Sequence, residues 1–290
     1  MKSILPNFFI IGAPKSGTTN ISYYLKLSSQ VFMPENLEPY FFAQWDVNKF
    51  YKREIINHEE QYLKLFQTKK KVKAVGESSP VYLYCPNSAK KIKKYFPNAK
   101  IIISLRNPID ITYSQYYSLK FNLYTKLSFK DQINYDKELL KKEFNIDNIL
   151  EAGFYLKHIK RFMEHFKQNQ IKIIIFENYI KNTYRDIESI LQFLDIEEKI
   201  EFKIQDKGAY KIPKNILGEF LLQNKTIRRI SQKTIPTVTR QKFGEKYLVK
   251  EGEKPIMDSE TREQIKNIYQ REVKELEKFL NIDLPWNDFH

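Results

Sequence analysis

Two short stretches of this chain carry side chains suited to holding phosphate groups. The first runs from Gly12 to Thr19 and contains two glycines, a lysine and three hydroxyl side chains. It follows an apolar run and precedes a helical pattern, and the free N–H groups and the dipole at the start of a helix favour a bound anion. The residues that we expect to bind this anion are Lys15, Ser16, Gly17, Thr18 and Thr19.

A second anion site is predicted around Arg106. This residue closes the apolar run 101–105, and Ser114 follows about two turns into the helix that is predicted to begin at Pro108. Ligands of open parallel sheets bind at the carboxyl ends of the strands, and an arginine can bind phosphate through two parallel hydrogen bonds. Arg106 and Ser114, together with the first loop, therefore indicate a ligand with two separate phosphate groups.

The glycine spacing of the first loop also fits an ATP-binding loop. Thr19 occupies the position of the magnesium-binding hydroxyl, but Thr18 stands where such a loop needs its lysine. The predicted strand ends offer Glu77, Arg106 and Glu177, with no Asp to hold magnesium. The loop is therefore poorly suited to a metal-bound triphosphate, and no metal is expected. A P-loop kinase or NTPase stays an alternative.

Both anion sites need a scaffold that brings loops to one edge. Short apolar runs alternate with helical patterns along the chain, which is typical of a parallel sheet with crossover helices. We predict an α/β fold of the P-loop type, in which three layers are formed by a central parallel sheet flanked by helices. A single domain spans 1–290, with a basic, loop-rich excursion at about 225–255. The predicted strands are 8–11, 72–75, 101–105 and 171–176, and the predicted helices are 18–27, 87–95, 108–119, 155–166, 187–194 and 258–280.

The charge of the chain restricts its partners. Lys and Arg number 49 against 35 Asp and Glu, a formal net charge of +14. Such an excess favours nucleotides, nucleic acid, acidic glycans or an anionic membrane surface. The chain has no RNP, zinc or helix-turn-helix signature, so no nucleic-acid partner is expected. A non-enzymatic polyanion binder stays an alternative, and peripheral contact with a membrane is left open.

The sequence also bears on the compartment. Cys85 is the only cysteine, so no intrachain disulfide can form, which suits a reducing environment. No apolar run approaches the ~20 residues of a membrane span, and the stretch before the first predicted strand is too short for a signal peptide. We therefore expect a cytoplasmic protein.

The chain resembles the PAPS-dependent sulfotransferases, which use 3′-phosphoadenosine-5′-phosphosulfate. Its first loop resembles their 5′-phosphosulfate loop, and Arg106–Ser114 resembles their 3′-phosphate motif. Gly76–Leu83 is similar to the family's G-E-x-S-P-x-Y-L stretch, and Tyr155–Glu177 and Tyr269–Trp286 resemble later family blocks. The resemblance covers most of the chain and is closest to the bacterial and heparan-sulfate-type branch, which acts on carbohydrates.

This resemblance implies an enzyme that transfers a sulfuryl group from PAPS to a hydroxyl or amine of a small-molecule or glycan acceptor. Lys15 would stabilise the leaving phosphate electrostatically. Glu38–Phe42 is similar to the family's K-E-P-x-F-F segment, so the resemblance assigns the catalytic base to Glu38. The basic residue that precedes this glutamate in the family is replaced by Leu37, which removes one expected charge.

Two further residues are candidates for contact with the substrate. His158 is expected on the polar side of its helix and resembles a position implicated in acceptor handling. Glu77 lies in the Gly76–Leu83 motif, where it could orient Lys15 or an acceptor. A solvated histidine and a glutamate that only caps the next segment are the alternatives left open.

Overall fold

The computed structural model describes residues 5–35, 38–43, 56–68, 71–121, 124–140, 148–204, 211–235, 239–240 and 243–290. The chain packs as two compact units, one formed by Met1–Gln205 with Ser259–His290 and the other by Asp206–Asp258. Within the described ranges, no helix is long and apolar enough to cross a membrane. That the chain forms a single domain stays a prediction.

A five-stranded parallel sheet forms the centre of the first unit. Its strands are β1 Phe8–Gly12, β2 Val31–Phe32, β3 Ala74–Ser78, β4 Lys100–Leu105 and β5 Ile171–Ile175, in the order β2-β3-β1-β4-β5. β1 is buried along its whole length and pairs with β3 on one side and β4 on the other. Near-continuous apolar strands are expected when helices cover both faces of a parallel sheet. The loop after β1 therefore leaves the sheet between the ends of β3 and β4.

The helices of the first unit flank this sheet, and the bounds of the helices of both units follow in chain order. They are α1 Thr18–Leu25, α2 Glu59–Lys64, α3 Ser88–Tyr95, α4 Pro108–Phe121, α5 Phe129–Leu139, α6 Leu156–Met163, α7 Phe176–Lys181, α8 Thr183–Phe193, α9 Ile216–Gln223, α10 Lys225–Thr234 and α11 Ser259–Leu280. Side chains of α1 and α8 join those of β1 and β4 in one apolar core, which includes Tyr24, Ile187 and Ile102. Phe9 of β1 packs on the other face, against Phe42 and Phe96. The predicted three-layer α/β fold is confirmed.

The strand predicted at 72–75 lies further along the chain. β3 begins at Ala74 and ends at Ser78, so Glu77 belongs to the strand. The polar pair Glu77-Ser78 does not look like a buried strand in the sequence. Its pairing partners Phe9 and Ile10 keep it in register, and Gly76 gives Phe8 room, since a Cβ there would lie 2.5 Å from the Phe8 carbonyl oxygen.

The second unit contains more regular structure than the sequence predicts. Within the stretch 225–255, α10 occupies the start and a π-helical turn over Gly244–Leu248 leads into a strand, and the loop-rich character of the whole stretch stays a prediction. Strands β6 Lys211–Pro213 and β7 Val249–Glu251 form an antiparallel pair. The Asn224 side chain accepts hydrogen bonds from the N–H groups of Thr226 and Ile227 at 3.0 and 3.1 Å, which caps α10.

Candidate active site

The loop after β1 presents the start of α1 without a capping side chain. Gly17 is the N-cap residue of α1, and among the described residues no side-chain hydrogen bond caps this end of the helix. Its φ of 79° lies in the left-handed region, and a Cβ there would lie 2.9 Å from the Phe176 ring, so only glycine fits. Because the first amides of a helix have no partner within it, they are available to an anion.

Two hydrogen bonds fasten this loop to β4. The Ala13 N–H donates to the Ser104 carbonyl oxygen at 2.7 Å, and the Ser104 hydroxyl donates to the Ser16 carbonyl oxygen at 2.6 Å. Lys15 is exposed at the tip of the turn, with a left-handed φ of 66°. The loop is therefore held at its base, while its lysine reaches solvent.

The hydroxyl of Ser16 is buried without a hydrogen bond. Ser16 has no exposed surface, and its Oγ has no partner among the described residues. A buried polar group left unpaired costs about 1–3 kcal/mol. Such a group at an anion-binding loop fits a ligand whose oxygen atoms would supply the missing partner.

Arg106 lies against the same loop. Its Nη1 donates to the Lys15 carbonyl oxygen at 3.0 Å, and its guanidinium group stacks on the Phe176 ring at 4.7 Å from the centroid. Its Nε is buried and has no hydrogen-bond partner within the described part of the chain. The predicted proximity of Arg106 to the first loop is therefore confirmed, while the contact of each motif with a phosphate group stays a prediction.

Ser114 lies on α4, the helix that begins beside Arg106. Its side chain is almost completely buried. The start of this helix is fixed by Asn107, whose Oδ1 accepts a hydrogen bond from the Ile109 N–H at 2.9 Å. The burial suits a hydroxyl group that serves an enclosed ligand, and this role of Ser114 stays a prediction.

Glu77 is completely enclosed at the end of β3. Its Oε1 accepts hydrogen bonds from the hydroxyl groups of Tyr62 at 2.8 Å and Tyr82 at 3.1 Å, and its Oε2 accepts one from Ser79 at 3.1 Å. Burial raises the pKa of Glu77 to about 8, against the opposing effect of these hydrogen bonds. In the structure, Glu77 therefore serves as a buried hydrogen-bond acceptor for neighbouring side chains. Direct contact with an acceptor stays a prediction.

The predicted base, Glu38, lies on a segment that the partners of Glu77 hold. The Tyr40 N–H donates to Ser79 Oγ at 3.4 Å, and the Phe42 N–H donates to the Tyr82 hydroxyl oxygen at 3.3 Å. Glu38 itself is half-buried and accepts a hydrogen bond from the Tyr40 hydroxyl. Residues 38–43 are therefore attached to the end of β3, the strand beside β1. Leu37, the departure from the family pattern, lies outside the described residues.

His158 is not on a polar surface, and that expectation is wrong. It is only 2 % exposed, and its ring packs edge-on against Tyr84 with centroids 4.9 Å apart. Arg161 donates to Nδ1 at 2.7 Å, and Nε2–H donates to Glu151 at 2.9 Å. The ring can be buried because both nitrogens are paired. Burial is the main reason that the pKa of His158 falls to about 4, so the ring is neutral near pH 7. Its role toward an acceptor stays a prediction.

Sequence reasoning missed the part that Phe176 plays. Its ring lies beside Gly17 and also under the Arg106 guanidinium group, so it joins the two anion motifs. Phe176 begins α7 immediately after β5, the neighbour of β4. An aromatic residue at a strand end carries no polar signal. Only its position in the predicted sheet could have indicated it.

The fold and this site define an α/β protein of the P-loop type, in which the loop after β1 and an arginine meet at one sheet edge. The family model for the sulfotransferase domain matches residues 5–277, almost the whole chain. The chain therefore belongs to the sulfotransferase family. The predicted family is confirmed, and the use of PAPS as the donor stays a prediction.

Several relatives resemble this chain over different lengths. The Membrane-associated sulfotransferase kil1 of Dictyostelium discoideum is 32% identical over 57% of this chain and 33% of its own length. A bifunctional heparan sulfate N-deacetylase/N-sulfotransferase 4 of Mus musculus is 24% identical over 96% of this chain and 30% of its own length. The chain thus spans about a third of the length of these curated relatives.

A solved structure shows the same fold. The crystal structure of a sulfotransferase from Alicyclobacillus acidocaldarius superposes with a TM-score of 0.72 and 24% sequence identity. The match covers 98% of this chain and 99% of that protein.

Proposed function

We propose that this protein transfers a sulfuryl group from PAPS to a hydroxyl or amine group of a carbohydrate or glycolipid, with Glu38 as the base. The observation that carries the proposal is the meeting of Arg106 with the loop of Ser16, where two buried polar atoms lack partners within the described chain. The carbohydrate acceptor is supported by the relatives named as heparan sulfate N-sulfotransferases. A cytoplasmic location is part of the proposal.

The residues divide between the two ends of the donor. The 5′-phosphosulfate end belongs at the start of α1, and the 3′-phosphate belongs at Arg106 and Ser114. The donor-binding set for the 5′ end is Lys15, Ser16, Gly17, Thr18 and Thr19. Uncapped amides and a cation both favour an anionic group at this place.

The reaction is an in-line displacement at sulfur. The acceptor oxygen or nitrogen forms a bond to sulfur while the bond from sulfur to the bridging phosphate oxygen breaks. Glu38 takes the acceptor proton. The electron pair of the broken bond stays on the phosphate, which leaves as 3′-phosphoadenosine-5′-phosphate (PAP). Lys15 stabilises the charge that develops on this leaving group.

Transfer of radiolabelled sulfate from PAPS to a panel of glycans, glycolipids and small phenols tests this proposal. We expect a signal with the wild type and a loss of at least about a hundredfold in Glu38→Gln, because general bases contribute roughly 10²–10⁴-fold. PAP binding should survive this substitution. The matched control is Glu35→Gln, which removes an exposed carboxylate three residues away and should leave transfer unchanged.

Three results would contradict the proposal. Full activity in Glu38→Gln would rule out Glu38 as the base. Sulfate transfer to phenols alone would rule out a carbohydrate acceptor. Binding of ATP that depends on magnesium, with no binding of PAP, would favour the P-loop kinase alternative instead.

A further inference from the structure

The peptide unit between Arg106 and Asn107 is held at both edges by side chains. The Tyr155 hydroxyl donates to the Arg106 carbonyl oxygen at 2.7 Å. The Asn107 N–H donates to Glu177 Oε1 at 2.9 Å. A peptide unit is planar, so two bonds on opposite edges fix its orientation. Together with β4, which holds the backbone up to Leu105, these bonds restrain the direction in which the Arg106 side chain leaves the backbone.

Glu177 is held in turn by the segment that follows α11. Its second oxygen, Oε2, accepts a hydrogen bond from the Trp286 indole N–H at 2.9 Å. Trp286 has no exposed surface, and its ring lies beside Tyr155 with centroids 6.2 Å apart. One residue thus bonds Glu177 and packs against Tyr155, the two groups that hold the Arg106 peptide.

Asp288 provides a second connection to the same turn. Its Oδ2 accepts a hydrogen bond from the Asn107 side-chain amide at 2.7 Å. The Arg262 guanidinium group donates to both carboxylate oxygens of Asp288, at 2.6 and 2.7 Å. Asn107 is therefore bonded through its backbone to Glu177 and through its side chain to Asp288. We call Glu177, Trp286 and Asp288 the Arg106 support.

We propose that the Arg106 support positions Arg106 for the 3′-phosphate of the nucleotide and so sets the preference for PAP over adenosine 5′-phosphate (AMP). The proposal rests on the proposed function, which places that phosphate at Arg106. A bidentate contact between arginine and phosphate needs a fixed guanidinium direction. The three support residues act through the backbone and side chain of Asn107.

Electrostatics alone predict the opposite result for one variant. Glu177→Gln removes a negative charge near an anion site, which by charge alone strengthens the binding of every nucleotide. Loss of positioning weakens the binding of PAP and leaves AMP nearly unchanged. The ratio of the two affinities therefore separates a positioning role from a charge effect and from a general loss of stability.

The test is calorimetric titration of PAP and of AMP into the wild type, Glu177→Gln and Trp286→Phe. The second variant removes the indole N–H and part of the buried ring volume, and it keeps an aromatic ring. We expect PAP affinity to fall roughly three- to tenfold in each, as the loss of one hydrogen bond predicts, with AMP affinity within about twofold. The double variant should lose no more than about the larger single effect, because both residues act in one chain of contacts. Glu164→Gln, an exposed carboxylate, is the control for charge.

The outcomes separate the two proposals. A wild type that binds PAP no better than AMP overturns the proposed function. A wild type that prefers PAP, with variants that keep this preference or lose both nucleotides equally, overturns the positioning role alone. Thermal unfolding of each variant checks that it is folded, and Asp288→Asn provides a further variant for the same comparison if Glu177→Gln does not fold.

Discussion

The hydroxyl group of Ser16 should lower the stability of the empty protein and strengthen the binding of the donor. This hydroxyl is buried and has no partner within the described chain, although it lies in the loop that we assign to the donor. A group of this kind destabilises the empty protein and becomes useful when a ligand pairs with it. Binding sites often carry such unfavourable features.

Ser16→Ala should therefore change stability and binding in opposite directions. We expect the free energy of unfolding of the empty protein to rise by about 1 kcal/mol, and PAP affinity to fall roughly three- to tenfold. Chemical denaturation and calorimetry measure the two effects. Ser22→Ala is the matched control, since this buried hydroxyl donates to the Thr18 carbonyl oxygen at 2.8 Å and its removal should destabilise. A loss of stability in both variants would show that the Ser16 hydroxyl is paired in the empty protein.

Among the elements, β3 does more than extend the sheet. The Glu77 side chain accepts hydrogen bonds from three hydroxyl groups. Two of these hydroxyl groups, those of Ser79 and Tyr82, also accept hydrogen bonds from the backbone of residues 38–43. The strand end thereby fixes the segment that carries Glu38. The two bonds to the backbone of this segment span 39 and 40 residues, so this arrangement depends on the fold.

The buried carboxyl group of Glu77 should make stability depend on pH. Its pKa is raised from the ordinary 4.5 to about 8, so the folded state binds the proton more tightly than the unfolded state does. This contribution is complete below about pH 4.5 and is lost as the pH rises to about 8. Glu77→Gln keeps the shape and removes the titration, so we expect the free energy of unfolding to vary less between pH 5 and pH 8 than in the wild type. Denaturation at several pH values tests this, with Glu164→Gln as the control. An unchanged slope would mean that Glu77 is ionised in the fold.

For the whole molecule, a second buried group should contribute to the loss of stability in acid. His158 lies between Glu151, Arg161 and Tyr84, and so connects α6 to two separate parts of the chain. Its pKa is lowered from 6.5 to about 4, so protonation favours the unfolded state. The contribution of His158 is complete above about pH 6.5 and is lost as the pH falls toward 4.

His158→Gln should reduce this loss of stability in acid. We expect the variant to be less stable than the wild type at pH 7, because paired bonds are lost, and the difference between them to shrink as the pH falls from 6.5 to 4. Unfolding in denaturant at each pH gives the measurement. His165→Gln, on the same stretch but partly exposed, is the control. A difference that stays constant over this range would show that His158 does not titrate there.

The sequence by itself determined the fold class and the two anion motifs. Both depend on local signals: the apolar runs 8–11 and 101–105, the glycines of the first loop, and an arginine at a strand end. Parallel strands bring their carboxyl ends to one edge, so the meeting of Arg106 with the loop followed from the strand prediction.

Only the tertiary structure decided which side chains support these motifs. Asn107 bonds to partners 70 and 181 residues away, and Glu177 bonds to Trp286 across 109 residues. His158 was misplaced for the same reason, because its burial depends on partners that a helical pattern does not reveal. Local periodicity reports which face of an element is apolar, whereas pairing between distant polar groups is set by how the elements pack.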